Sequence, residues 1–226
     1  QLGENPDRVF NYGSPGIEAI KKIDLYDKNK IFELLGLDLV KKTILITFHP
    51  ETLNLLIDPK RQINSLLEAI RDIKEINLVF TKANADPGGA IINNEIEKFS
   101  ELNKSNTYLF ESLGQKKYLS LLKYAACVVG NSSSGIIEAP SFNVGTVNIG
   151  SRQKGRIKSE SIIDVDYNTK QIKSSILKIL DQPFLNNKDF IDNPYETRDT
   201  SKKIVKAIKD SLARGIKPKI FFDLKI

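Results

Sequence analysis

The stretch VVGNSSSGIIEAP, residues 128–140, sets an apolar run against three serines and a proline. Val128 and Val129, preceded by Ala125, Ala126 and Cys127, read as the end of a short buried strand. Ser132, Ser133 and Ser134 are helix N-cap residue types, and Ile136, Ile137 and Ala139 supply the apolar face of a helix that follows. A strand that stops at small hydroxyl residues and restarts as a helix leaves backbone N–H groups unpaired at the positive end of a dipole. That arrangement binds anions, phosphate above all. A plain capped turn uses the same residues, so the choice rests on what the remaining chain adds.

Outward from this stretch, apolar strand-like runs alternate with amphipathic helix-like runs. The alternation predicts an α/β fold, a doubly wound Rossmann-like domain on a parallel sheet. Thr43–Phe48 (TILITF) is the clearest buried strand; Ile76–Phe80, Thr107–Phe110, Gly145–Ile149 and Ser161–Val165 follow, and Arg8–Tyr12 is a short strand candidate. Helices are expected over Ile17–Ile23, Lys28–Leu35 (ended by Gly36), Arg61–Ile73, Ala90–Leu102, Tyr118–Tyr124, Lys170–Leu180 and Thr200–Ala213. Asp181–Tyr195 reads as loop, and Ile220–Phe222 lies in a tail. Ligands bind such sheets beyond the carboxyl ends of the strands. Four polar segments sit there: His49-Pro50-Glu51-Thr52, residues 81–89, the serine turn, and Ser151–Arg156. In a parallel sheet all four meet at one rim.

A chain of 226 residues, 40% hydrophobic and 27% charged, can bury a substantial core and is not disordered. No apolar run reaches the length of a membrane span. The net charge of +6 comes from lysines spread along the chain (Lys41-Lys42, Lys116-Lys117, Lys202-Lys203) with few aromatics among them. This speaks for a solvated surface and against nucleic acid, while favouring a small polyanion. The lone Cys127 lies in an apolar run and excludes an internal disulfide, which suits a reducing, cytoplasmic setting. One histidine and one cysteine cannot build a standard zinc site, and no Gly-x-Gly-x-x-Gly or Walker loop is present. Neither a metal nor NAD nor ATP is indicated. With no methionine at position 1, the sequence reads as a piece of a longer chain, and no targeting signal can be judged from it.

Residues 130–161 (GNSSSGIIEAPSFNVGTVNIGSRQKGRIKSES), with ITFHPET at 46–52, FTKANADPGG at 80–89 and the opening QLGENPDRVFNYG, resemble the UDP-N-acetylglucosamine 2-epimerases. The likeness is strongest to the hydrolysing branch of the sialic- and legionaminic-acid pathways and covers most of residues 1–180. It implies the two-domain fold of B-type glycosyltransferases, of which this chain matches the C-terminal, UDP-binding half. On that reading residues 1–226 form one UDP-binding domain. Residues 1–24 lie near the interdomain boundary, and 199–226 form a helix and tail that pack toward an N-terminal domain carrying most of the acid/base carboxylates. The implied partners are UDP, a UDP-amino sugar and that N-terminal domain; a homo-oligomer is compatible with the likeness, and no membrane or nucleic acid is called for. A non-hydrolysing epimerase and a glycosyltransferase donor domain would use the same nucleotide half, although GSRQKGR argues against the latter. Outside enzymes, a UDP-sugar or nucleic-acid binding module remains open.

The resemblance also assigns roles. Ser132 and Ser133 would donate to the UDP phosphates at the helix start, the competing role being N-capping alone. Glu138, one helical turn after Ser134, would accept the ribose hydroxyls; as an acid near a helix start it could equally serve the dipole. Arg152 would clamp phosphate, with Lys154 and Arg156 as surface charges. His49, directly after the best strand, would contact the UDP leaving group and aid C–O cleavage by stabilising phosphate charge or donating a proton. Asn84 would line the nucleotide pocket, or merely shape the turn before Pro87; Asp86 is read as a turn residue. Leu113 would meet the uracil through its backbone, and the Tyr118 ring would pack near the base or in the core.

Overall fold

The computed structural model describes residues 3–52, 57–181, 191–215 and 218–223. They belong to two compact units, one of residues 23–193 and one of residues 1–22 with 194–226. The smaller unit holds helices α1 (Pro15–Ile20) and α8 (Thr200–Ala213). The latter has the bounds its periodicity gives. Pro15 opens α1 at a first-turn position where its missing N–H costs nothing. Arg8–Tyr12 is not a strand. One 3₁₀ turn, Pro6–Arg8, capped by the Asn5 side chain, precedes an irregular run in which Val9 and Phe10 are exposed. Among the described residues no strand takes up the backbone there, and the Phe10 and Tyr12 rings stack on each other at 5.7 Å. Residues 220–222 form no regular element; the Phe222 N–H bonds the Gly3 carbonyl at 3.0 Å.

The larger unit is built on six parallel strands: β1 (Lys42–Thr47), β2 (Ile76–Thr81), β3 (Thr107–Phe110), β4 (Cys127–Gly130), β5 (Thr146–Ile149) and β6 (Ile162–Val165). Their order is β3-β2-β1-β4-β5-β6, an α/β Rossmann-like sheet as the alternation predicts. The helices are α2 (Lys28–Leu35), α3 (Pro59–Ile70), α4 (Gly89–Leu102), α5 (Gly114–Tyr124), α6 (Ser133–Ile137) and α7 (Thr169–Asp181). Starts are encoded locally. Asp27 accepts the Lys30 N–H at 2.8 Å, Asp58 the Arg61 N–H at 3.1 Å ahead of Pro59, and Asn168 the Gln171 N–H at 3.0 Å. Helix α5 begins four residues before Tyr118, because its first turn is polar and shows no apolar period. Helix α3 stops at Ile70, while Ile73, just past it, is still buried. The loop expected over Asp181–Tyr195 lies for residues 182–190 outside the described residues.

Both sheet faces are covered, so central strands are apolar without alternation; Ile44, Leu45 and Ile46 are all fully buried. Ile44, Ile46, Leu78, Phe80 and Val129 join one cluster with Ile63 and Leu66 of α3, Ile92 and Ile96 of α4 and Ile172 and Ile176 of α7. Leu45, Val79 and Val128, one residue out of phase, turn to the other face. Gly130 closes the β1–β4 ladder opposite Thr47 at φ +135°, and a Cβ there would lie 2.0 Å from the Thr47 carbonyl oxygen. Gly130→Ala is therefore expected to part the two strands and cost at least about 3 kcal/mol. Gly36→Ala, at the left-handed end of α2 with nothing within 4 Å, should cost only about 1 kcal/mol. Urea unfolding midpoints of the two variants check the ranking.

Candidate functional site

Between β1 and β4 the strand order reverses, so the chains leaving those strands turn to opposite faces and open a crevice. At its floor stands Asn131, fully buried. Its N–H bonds the Thr47 carbonyl at 3.2 Å, and the chain then turns into α6. Beyond that point the side chain continues the pairing. Asn131 Oδ1 accepts the His49 N–H at 2.7 Å, and Nδ2 donates to the His49 carbonyl at 2.8 Å. The Asn131 carbonyl in turn accepts from Arg152 Nη1 at 3.2 Å and Gln153 Nε2 at 2.8 Å. The ends of β1, β4 and β5 are thus tied to one residue.

A second brace joins β1 to β5. Glu51, buried after Pro50, accepts the Ser151 N–H and gives its own N–H to Gln62 Oε1 at 3.0 Å. Gly150 makes this possible: at φ +77° it leaves out a Cβ that would fall 2.5 Å from Tyr167 Oη and 2.8 Å from Glu51 Oε1. Burial, and then the Glu51 carboxylate, push the Tyr167 phenol well above its ordinary range, so it stays neutral.

His49 is held from β2 as well, since the Asn84 N–H donates to its Nδ1 at 3.2 Å. With Nδ1 accepting, the neutral ring carries its proton on Nε2. Burial first, and then the Arg152 charge, lower its pKa below the usual 6.5, with Asp86 opposing. Beside this cluster lies a cavity of about 370 Å³ bordered by Thr47, Thr81, Leu113, Tyr118, Ser132 and Glu138. Tyr118 Oη donates to Ser134 Oγ at 2.8 Å, and Ser134 Oγ donates to Glu138 Oε2 at 2.7 Å. Burial pushes the Tyr118 phenol up to about 12, so it serves as a fixed donor. The Thr47 and Thr81 hydroxyls pair at 2.6 Å on the cavity floor.

The structure therefore gathers most of the sequence-derived candidates. Ser132, Leu113, Tyr118 and Glu138 border the cavity, and His49 and Arg152 meet at Asn131 next to Ser132. Ser132 caps α6 by accepting the Ser134 N–H at 3.4 Å, and Ser133 is the first residue of that helix. Asn84 reaches the cluster through its backbone, while its side chain bonds Asp86 at 2.7 Å within its own turn. Sequence reasoning gave Asn131, Glu51 and Gln153 no role of their own and took Ser134 only as an N-cap type one turn before Glu138. Asn131 had a signal, an amide residue at the carboxyl end of a buried strand. For Gln153 and Glu51 no local pattern announces burial. Among the described residues no group of three His, Cys, Asp or Glu side chains could hold a metal ion, and no helix is long and apolar enough to cross a membrane.

Residues 1–209 match the family described as UDP-N-acetylglucosamine 2-epimerase. The chain is 42% identical over 195 residues to the GDP/UDP-N,N'-diacetylbacillosamine 2-epimerase (hydrolyzing) of Campylobacter jejuni, covering 85% of this chain and 48% of that one. It is 38% identical over 226 residues to the polysialic acid biosynthesis protein P7 of Escherichia coli, covering 99% and 57%. It spans about half the length of these relatives. Among solved structures, the UDP-GlcNAc 2-epimerase of Neisseria meningitidis bound to UDP-GlcNAc shares the fold with a TM-score of 0.71, at 20% identity over 92% of this chain and 57% of that one.

Because His49 is the only histidine, its titration can be read without assignment. Proton NMR should place its pKa below 6.5, and nitrogen shifts should report the Nε2–H tautomer at pH 7.5. A folded pKa below the unfolded one means that the unfolded chain binds more protons in the window between them. The resulting stability is present above pH 6.5 and is lost as pH falls through the folded pKa. The unfolding midpoint of the parent should therefore fall more between pH 7.5 and 5.5 than that of His49→Gln.

Proposed function

We propose, since this chain belongs to the UDP-N-acetylglucosamine 2-epimerase family, that residues 23–193 bind UDP and the UDP end of a UDP-amino sugar as the nucleotide half of a hydrolysing 2-epimerase. The observation that carries the reading is the meeting of His49, Asn131 and Arg152, from three strand ends, beside a cavity bordered by Ser132 and Glu138. The uridine would occupy the cavity, where Leu113 and Tyr118 offer backbone and ring to the base. Glu138, with one oxygen engaged by Ser134, would accept the ribose hydroxyls. Ser132, Ser133 and the exposed guanidinium of Arg152 would meet the diphosphate.

At neutral pH the uncharged His49 ring would offer Nε2–H to the phosphoryl oxygen leaving C1 and stabilise the charge that develops there. In the full enzyme the C1–O bond breaks with loss of the C2 proton, giving a glycal and UDP. Water then adds to C1, with protonation at C2 from the opposite face, and the free 2-epimer is released. The acid/base carboxylates for these proton transfers would come from the other half of the longer protein. The name of the Campylobacter relative supports the hydrolysing outcome and a diacetamido sugar. The exposed Val205, Ile208 and Leu212, at helical spacing on α8, offer that other half an apolar face. A nucleotide-sugar substrate and a lone buried thiol suit the cytoplasm.

Calorimetry and thermal shift test this directly. UDP should bind and raise the melting temperature, and Arg152→Ala should weaken binding by about 2 kcal/mol, roughly thirtyfold. In the full-length enzyme His49→Ala should lower turnover about a hundredfold while changing UDP affinity far less. A melting temperature indifferent to UDP, with salt-dependent binding of single-stranded DNA, would defeat the proposal.

A further inference from the structure

We infer that Asn131 is the positioning residue of this site, fixing the His49 main chain, and so the setting of its imidazole, against the Arg152 guanidinium through the two ends of a single residue. The need for such a residue arises at the β1–β4 ladder. It runs to Thr47 and Gly130, and the next main-chain bond, Asn131 N–H to the Thr47 carbonyl, is its last. His49 then has a half-buried N–H and C=O with no strand beside them, because the Asn131 chain turns away into α6. Leaving either unpaired is costly, and each needs a partner of opposite kind at the same place. A carboxamide supplies one donor and one acceptor side by side. Asn131 puts Oδ1 on the His49 N–H at 2.7 Å and Nδ2 on its carbonyl at 2.8 Å. Aspartate has the shape but no donor, and serine lacks the span.

The other end of the residue does the same for Arg152. The Asn131 carbonyl accepts Nη1 at 3.2 Å, and Gln153 Nε2 shares that oxygen at 2.8 Å. No other hydrogen bond engages the guanidinium among the described residues, so its remaining N–H groups are available to a ligand. A guanidinium and a neutral imidazole are thereby kept at a set spacing, with Asp86 on the His49 side. None of this requires Asn131 to touch the ligand. It acts through its neighbours, and the inference rests on the UDP-site reading only for its ligand arm.

The test uses this chain, with the imidazole pKa and tautomer read by NMR and UDP affinity by calorimetry. Asn131→Asp preserves shape, removes the donor and adds a negative charge. It should raise the His49 pKa by about one unit and weaken UDP about tenfold or more. Asn131→Ala should free the His49 main chain, loosen the Asn84 N–H bond to Nδ1 so that the tautomers average, and weaken UDP comparably. In the parent, the Asn131 side-chain amide protons should exchange far more slowly than those of an exposed amide such as Asn84. This last measurement decides the matter if neither variant folds. Folded variants that keep the parent's His49 pKa, tautomer and UDP affinity would overturn the inference, as would fast exchange of the Asn131 carboxamide. If the parent fails to bind UDP, the nucleotide reading falls, while the imidazole response to Asn131→Asp still judges the positioning role.

Discussion

The pairing of β1 with β4 is the constraint from which the rest of the larger unit follows. These two strands are adjacent in space but separated by two strand–helix units in sequence, so the sheet grows outward from them in both directions. Right-handed crossovers then send α3 and α4 to one face and α5 and α6 to the other. The crevice above the β1–β4 pair is a consequence of that handedness. It needs no special residue to form, but it does leave the ends of two buried strands without neighbours. Gly130 lets β4 approach Thr47 closely enough for the ladder to persist to the rim, and Asn131 then satisfies what the diverging backbones cannot.

Polar groups at the rim, buried or half-buried, are linked in a connected order. The hydroxyls of Thr47 and Thr81 answer each other, and Tyr118, Ser134 and Glu138 form a chain that runs to a carboxylate on the cavity border. Desolvating such groups singly would destabilise the fold by an amount comparable to the net worth of several hydrogen bonds. Linking them offsets that cost and removes rotational freedom from Glu138, whose orientation is then set before any ligand arrives. The Glu51 brace does the same for the loop after β5, at a position where only glycine at residue 150 leaves room.

The central strands and long helices were legible because burial on two faces writes continuous apolar runs, and burial on one writes a 3.6-residue period. Thr107–Phe110, Lys28–Leu35 and Thr200–Ala213 have the bounds their residues imply. Arg8–Tyr12 misled for a physical reason: strand propensity is realised only where a neighbouring strand accepts the backbone, and Val9 and Phe10 stay exposed instead. The site was legible as a set of strand-end segments, since a parallel sheet must bring them to one rim. Its wiring was not. Ser134 and Gln153 stand beside residues singled out from the sequence, and which hydroxyl or amide faces inward depends on the turn each chain takes, which spacing along the sequence does not record.

The electrostatics of the site rest on keeping one of its two basic groups neutral. Beside the Arg152 charge a protonated His49 would add like-charge repulsion to the cost of burial, and both effects lower the imidazole pKa. A diphosphate placed against Arg152 would cancel the second effect while leaving the first in place. His49 would then be a better holder of a proton with the nucleotide bound than without it. That coupling would suit the role proposed for this ring, support of negative charge only while UDP leaves. It also explains why the ring must be fixed by its backbone and by the Asn84 N–H rather than by a carboxylate. An anionic partner on Nδ1 would hold the imidazole protonated whether the crevice were filled or empty.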